Sequence, residues 1–560
     1  RLGAALRRRF PDLQLLPEGD KVPARLILNG EEVHRVIPLP LAGPRPITPG
    51  MYTAPSAPIP VRPARGDAAA GGRTVRLGHA LTRTGRQQPV ELGDQERLRH
   101  IHVVGRTGTG KSSLLAAVAA GVIDSGGGAL IADPHGELCD RILAEAPAHA
   151  HDRIWVIRCG DIDNPVPLNP LAETDTVRRD IAIEDVCAAF QYLFDKKATG
   201  MVGPRFRERV GMTLRALAAV HGARSSLLDV PLALADDKFM DHAVARCADA
   251  RVAAWWRNDK IARRSSDYGD LVSWVNSKFE TFTSTVALRG ILGSGIDAID
   301  FVEAMDSGRV ILLDLSKAHL GESATRLLGF LYLSRVWLAA LQRRNRELPF
   351  TVIVDEAHSL TSGSLTNMLA EGRKFGLSVV LAHQYLEQLD ADLRPAVDGN
   401  VATTVAFRCA ASDVGEIHRR FGGLVDPAVL MTLPDLSAAM MRTAASGAVY
   451  PHTLMVDHNS TATPRSGADL ESQVRASLRF THSALVDPHR QETACAVAGS
   501  SNITTITLGE SEPAPAPAPA PRPGPRPAGA RASFLDEWLT RRDAERSTRP
   551  APAVADDAVS

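Results

Sequence analysis

At 560 residues the chain is long enough for about three or four ordinary domains. Its 64 Lys and Arg balance its 64 Asp and Glu, so bulk charge advertises no nucleic-acid partner; such a contact would have to come from a local basic patch. With 44% hydrophobic and 23% charged residues it has the composition of a soluble globular protein, which sets aside disordered and fibrous classes. The six cysteines are scattered without a C-x-x-C pair, which reads as reduced thiols of a cytoplasmic protein and no zinc site. No apolar run approaches membrane-spanning length and no signal peptide is visible, so membrane association would need an anchor before Arg1.

Residues 1–48 read as a small αβ unit, with a basic helix and a strand pair around Asn29-Gly30. Residues 49–74, rich in Pro, Ala and Gly, read as a linker. From residue 75 the pattern alternates apolar and polar around Gly78 and Gly85, which predicts a hairpin.

The hairpin leads into His-Ile-His-Val-Val-Gly-Arg-Thr-Gly-Thr-Gly-Lys-Ser-Ser-Leu-Leu, residues 100–115. A buried strand, a G-x-x-x-x-G-K-[ST] loop and an apolar helix follow in the order a phosphate-binding loop requires. Gly105, Arg106, Thr107, Gly108, Thr109, Gly110, Lys111, Ser112 and Ser113 are therefore the candidate nucleotide-binding residues. Glycines let the backbone N–H groups turn inward as an anion nest at a helix N-terminus. Lys111 would reach the β- and γ-phosphates, and the Ser112 hydroxyl would ligate Mg²⁺.

A glycine turn then enters a strand ending in Asp133, followed by His135 and Glu137, candidates for contact with phosphate or water or for holding the turn. A further strand over 153–158 and Asn169-Pro170-Leu171 close a first block, 75–171. Residues 172–300 change to helical periodicity and predict an all-α insertion. Strand character returns over 309–315, 350–354, 377–382 and 401–407 within a second block, 301–455. Strands alternating with helices predict an α/β fold with a mostly parallel, doubly wound sheet. Residues 456–511 form a C-terminal extension of ambiguous pattern; 512–530 read as a Pro/Ala-rich tether, and 531–560 as a short helix and tail.

The second decisive stretch is Pro-Phe-Thr-Val-Ile-Val-Asp-Glu-Ala-His, 349–358. An apolar strand delivers two carboxylates at its C-terminal end, where open α/β sheets bind ligands. Asp355 would hold Mg²⁺, and Glu356 would orient and polarise the attacking water. Gln384, ending another buried strand, is a candidate γ-phosphate sensor. Phosphoryl transfer also needs further positive charge, for which Arg373 and Arg408 are both candidates.

These motifs, in this order over roughly residues 75–450, resemble the HerA/FtsK superfamily of ring ATPases. They are most similar to the TraG/TraD-like coupling proteins of conjugative type IV secretion. The resemblance rests on the phosphate loop, Ile-Ala-Asp-Pro-His-Gly-Glu, Pro-Val-Pro-Leu-Asn-Pro-Leu, Ile-Leu-Leu-Asp-Leu-Ser-Lys, Val-Ile-Val-Asp-Glu-Ala-His, Glu-Gly-Arg-Lys-Phe-Gly-Leu and Ala-His-Gln-Tyr-Leu-Glu-Gln-Leu. It implies a RecA-like P-loop NTPase that uses ATP and Mg²⁺, forms a homo-hexamer and translocates DNA through the ring lumen. It favours Arg373 over Arg408 as a finger acting on a neighbouring subunit's nucleotide, and Gln384 as the sensor. It also implies a secretion-channel, relaxase or nuclease partner, and a helical insertion facing DNA. In that insertion Arg205, Arg207, Arg209 and the Arg263-Arg264-Ser265-Ser266 run are candidate phosphate contacts. The alternative is an ATPase that moves protein, or a nucleotide-gated scaffold for a partner nuclease. The membrane helices usual in coupling proteins are not visible in this chain.

Overall fold

Seven parallel strands, each buried on both faces, form the centre of the computed structural model. It describes residues 73–457, apart from 82–86, 196–199, 201, 264–267, 361–362 and 444–448. The expected unit at 1–48, nearly all of the 49–74 linker and of the 456–511 extension, the 512–530 tether and the tail lie outside the described residues. The chain divides into Arg1–Gly499 and Ser500–Ser560, and only the first contains described residues.

The first strands, β1 (Thr74–Leu81) and β2 (Gln87–Gly93), pair as the expected antiparallel hairpin. β3 (Ile101–Val104) carries the phosphate loop into α1 (Lys111–Asp124). β4 (Gly128–Asp133), α2 (Glu137–Glu145) and β5 (Ile154–Arg158) follow. Between β5 and β6 (Val310–Asp314) the described residues hold no strand. The main helices there are α3 (Thr176–Phe194), α4 (Pro204–His221), α5 (Asp237–Arg246), α6 (Ala250–Ala262) and α7 (Tyr268–Thr283). α8 (Glu322–Gln342) leads to β7 (Phe350–Val354); α9 (Gly363–Glu371) leads to β8 (Leu377–His383) and then β9 (Thr403–Ala406). α10 (Ala411–Arg420) precedes a second antiparallel pair, β10 (Ser437–Thr443) and β11 (Val449–Met455).

All eleven strands join one sheet in the order β2-β1-β11-β10-β9-β3-β8-β7-β4-β6-β5. From β9 to β5 every pairing is parallel, and the four strands beyond β9 are antiparallel. Alternation along the strands assigns residues to two cores. Leu130, Ile311, Leu313, Val352 and Val354 point into the one shared with the inserted helices and α8; Ala129, Ile131, Val310, Leu312 and Ile353 point into the one under α1 and α2. This two-sided burial is why the central strands are mostly apolar, and why polar residues within them, such as Thr351 and Ser378, are hydrogen-bonded. α1 approaches β1 at Gly121, where a Cβ would stand 2.7 Å from Val75 Cγ1.

The helical stretch packs through Phe190, Phe206, Phe279 and Phe282, whose rings crowd around Phe190 at centroid distances of 4.6–5.5 Å. Its core runs into that of the sheet without a break. Asn169, at the exit of the first block, donates from Nδ2 to Ala223 O and Gly295 O and accepts from Leu171 N, which pins the stretch at its entrance.

α8 corrects one expectation. It is long and apolar enough to cross a membrane by length and composition, yet 83% of its apolar window is buried inside the protein. Charges such as Arg335 interrupt it and hide it from a search for apolar runs. Arg335 bridges Glu173 and Asp297, each at 2.6 Å, with all three side chains 11–12% exposed. Arg335→Ala strands two buried carboxylates and is expected to cost about 3–5 kcal/mol of stability, read in denaturant unfolding. Adding Glu173→Gln and Asp297→Asn should recover part of that loss. An unchanged midpoint for the single variant would refute the bridge.

Candidate functional site

The C-terminal ends of β3, β8, β7 and β4 converge on a cleft of about 630 Å³. Thr107, Gly108, Gly110, Lys111, Ser112 and Ser113 line it from the loop and first turn of α1. Asp355 and Glu356 enter from β7, and Gln384 from β8. Asp133, His135, Glu137, Leu138 and Arg141 complete the wall after β4, and Leu436 closes the side next to β10.

Gly110 caps α1 at φ +118, and a Cβ there would press on Phe407 and Leu436 at 3.0–3.2 Å; only glycine fits this turn. Thr109 Oγ1 donates to Arg106 O at 2.7 Å and tightens the loop. The buried Lys111 ammonium donates to Gly105 O (2.8 Å) and Arg106 O (3.2 Å). Burial lowers its pKa, against the pull of Glu356 and Asp355. Gly105, Arg106 and Thr109 therefore shape the loop from outside the cleft lining.

Asp355 is pushed up to about 6, first by burial and then by the neighbouring Glu356 and Asp133 carboxylates. A divalent cation would reverse that balance, and the hard oxygen donors of Ser112 and Asp355 suit Mg²⁺. Asp133 is spoken for: it accepts from His135 N, Leu138 N and Cys139 N at 2.8–3.1 Å and ties the start of α2. The His135 backbone thus makes a turn-holding bond, while the His135 and Glu137 side chains reach the cleft.

Glu356 has φ +44 and ψ +53, a left-handed conformation costing a non-glycine residue of order 1–3 kcal/mol. Ser359 N donates to its carbonyl and Asp355 Oδ1 accepts from its N–H, which holds the turn. Gln384 Nε2 donates to Glu356 Oε1 at 2.9 Å. Glu356 Oε2 makes no hydrogen bond and stands 3.3 Å from His358 Nδ1, leaving an acceptor for a water. β8 lies between β3 and β7, so its end places Gln384 between the phosphate loop and the acidic pair.

Arg373 does not join this group. It is exposed in the turn Gly372–Phe375 that opens β8, at the opposite edge of the sheet from its own cleft. Arg408 lies nearer but is held by Asp435 (2.7 Å) and Leu433 O (3.2 Å). Two of the candidate phosphate contacts, Arg209 and Arg263, are corrected, and Arg207 stays half-exposed in a surface pair. Arg209 is buried against Asp259 at 2.7 Å, Arg263 pairs with Asp237 and Asp259, and Arg207 pairs with Glu184 at 2.9 Å. Arg205 is exposed; Arg264, Ser265 and Ser266 are outside the described residues.

Sequence reasoning missed three lining residues, Leu138, Arg141 and Leu436. Arg141 stands four residues after Glu137, one helical turn on, a spacing that could have found it. Leu436 gave no signal; at φ +61 it donates from N to Thr109 O at 2.9 Å. A buried pair also escaped notice: His102 and His383, on β3 and β8, meet Nε2 to Nε2 at 2.6 Å. Burial depresses both, His383 to about 3, so the pair is neutral. The Tyr385 carbonyl, 3.0 Å from His383 Nδ1, then requires the Nδ1–H tautomer there and makes His102 the donor between the rings.

Fold and site together define a RecA-like P-loop ATPase. The family described as Helicase HerA, central domain, matches residues 75–199. Among solved structures, the bacterial conjugative coupling protein TrwBdeltaN70 superposes with a TM-score of 0.52 at 18% identity, over 67% of this chain and 89% of that one. The plasmid coupling protein TrwB in complex with ADP and Mg²⁺ gives 0.51 at 18% identity, over 70% and 96%. TrwB in complex with an ATP analogue gives 0.51 at 18%, over 69% and 94%. No curated protein sequence matches the chain.

Proposed function

We propose that this chain is an ATP-driven motor that assembles as a homo-hexameric ring and couples hydrolysis to DNA translocation, in the manner of a conjugative coupling protein. The observation that carries the reading is the split between the two ends of β8. Glu356 and Gln384 are joined by a hydrogen bond in one cleft, while Arg373 is exposed in the turn before β8, away from its own cleft, which suits an arginine that acts on a neighbour. The solved TrwB complexes with ADP and Mg²⁺, with an ATP analogue and with a GTP analogue support nucleotide and Mg²⁺ binding in this cleft.

Lys111 binds the β- and γ-phosphates, and Ser112 and Asp355 hold Mg²⁺, which neutralises charge on them. Glu356 Oε2 orients the water for in-line attack on the γ-phosphorus, while Oε1 stays on Gln384. Loss of the γ-phosphate changes what Gln384 contacts and transmits the event through β8. Arg205 and Arg207, both accessible at the surface, remain candidate DNA contacts, whereas Arg209 and Arg263 are committed to carboxylates.

The test is steady-state ATP hydrolysis with single- and double-stranded DNA at low and moderate salt. Salt-sensitive stimulation by DNA is expected. Hydrolysis indifferent to any DNA would shift the reading to a protein cargo or a partner-gated scaffold. Arg373→Ala should lower turnover by about 10³-fold or more and recover partly in mixed rings containing Glu356→Gln subunits. No recovery at any mixing ratio would count against an arginine acting between subunits.

A further inference from the structure

α2 carries into the cleft a cation to which the hydrolytic roles assign no task. Arg141 lines the cleft with its side chain 26% exposed. Its Nη1 donates to Ser113 Oγ at 3.0 Å, and its Nε donates to Glu145 Oε1 at 3.0 Å. A guanidinium has five N–H donors, so these two bonds leave its outer edge available to a ligand.

Ser113 indicates which part of a nucleotide this charge meets. Glu356 and Gln384 mark the γ-phosphate end of the cleft, and Lys111 and Ser112 serve the β- and γ-phosphates. The amides of a phosphate loop continue past them to the α-phosphate at the first turn of the following helix, where Ser113 sits. We propose that Arg141 binds the α-phosphate within its own subunit and sets affinity for adenine nucleotides rather than the rate of hydrolysis. This rests on the cleft being an ATP site. Arg141 Nε pairs with Glu145 one turn further along α2, while the bond to Ser113 Oγ is what directs the guanidinium at the loop. Its planar fork then spans Ser113 and a phosphate oxygen at once, which a lysine ammonium does less well.

The experiment measures equilibrium binding of a non-hydrolysable ATP analogue, ADP and AMP by competition with fluorescent ADP, together with kcat and KM. Arg141→Ala is expected to weaken all three ligands by about ten-fold and raise KM similarly, with kcat within about two-fold. Arg141→Lys should fall between. Glu145→Ala, which breaks the pair along α2 but keeps the cation, should stay within about two-fold of wild type. Unchanged affinity in Arg141→Ala overturns the proposal, as does a loss confined to the ATP analogue, which would place the charge at the γ-phosphate. A Glu145→Ala loss equal to that of Arg141→Ala would reduce Arg141 to a helix tie. These results leave the ATP site standing; wild-type protein that binds no nucleotide removes both readings.

Discussion

Glu356→Gln is expected to bind ATP within a few-fold of wild type while kcat falls by about 10²- to 10⁴-fold. The substitution keeps the side chain's length and leaves an amide able to stay paired with the Gln384 amide, now 2.9 Å from Oε1. It removes the negative charge that makes Oε2 a strong acceptor for the attacking water. It also removes one of the charges that raise Asp355, so the Mg²⁺-binding carboxylate ionises more readily and nucleotide affinity is preserved. Single-turnover hydrolysis beside fluorescent-nucleotide binding separates the two effects. Turnover near wild type would sink the assignment of Glu356.

Lys111→Ala acts one step earlier and should abolish turnover by weakening ATP binding about 10²-fold or more. Two losses add. The charge facing the β- and γ-phosphates disappears, and so do the hydrogen bonds to Gly105 O and Arg106 O that brace the loop. The side chain lines a polar cleft rather than an apolar core, so unfolding should shift by no more than a few degrees. Retained ATP affinity with unaltered circular dichroism would show that the loop's amides hold the phosphates without the lysine.

Much of the site was legible because its strands are buried on both faces and end in polar residues. Phe350–Val354 is apolar apart from Thr351 and then gives Asp355 and Glu356; Leu377–His383, apolar apart from Ser378 and His383, leads to Gln384. What the sequence could not reveal was lateral order. Nothing in either stretch says that β8 lies between β3 and β7, because that is decided by crossovers and not by local pattern. The β10–β11 pair was overlooked for a physical reason. Ser-Ala-Ala-Met-Met-Arg-Thr has little β-branched character, and Pro451 sits inside β11, where proline argues against a strand. Basic runs misled in the helical stretch, where Arg209 and Arg263 are committed to Asp259. Charge alone does not tell a solvated arginine from one sealed against a carboxylate.

β8 has a kinetic consequence. Its seven residues span about 23 Å, with Arg373 in the turn that leads into the first and Gln384 directly after the last. In the ring proposed above, where Arg373 would serve a neighbour's nucleotide, one stiff rod of backbone would report on two successive sites. A displacement of Gln384 when one γ-phosphate leaves then reaches the next catalytic centre without passing through solvent or a loop. Such a ring would show a Hill coefficient for ATP above one and would lose activity on dilution, because an isolated subunit lacks the charge that completes its own site.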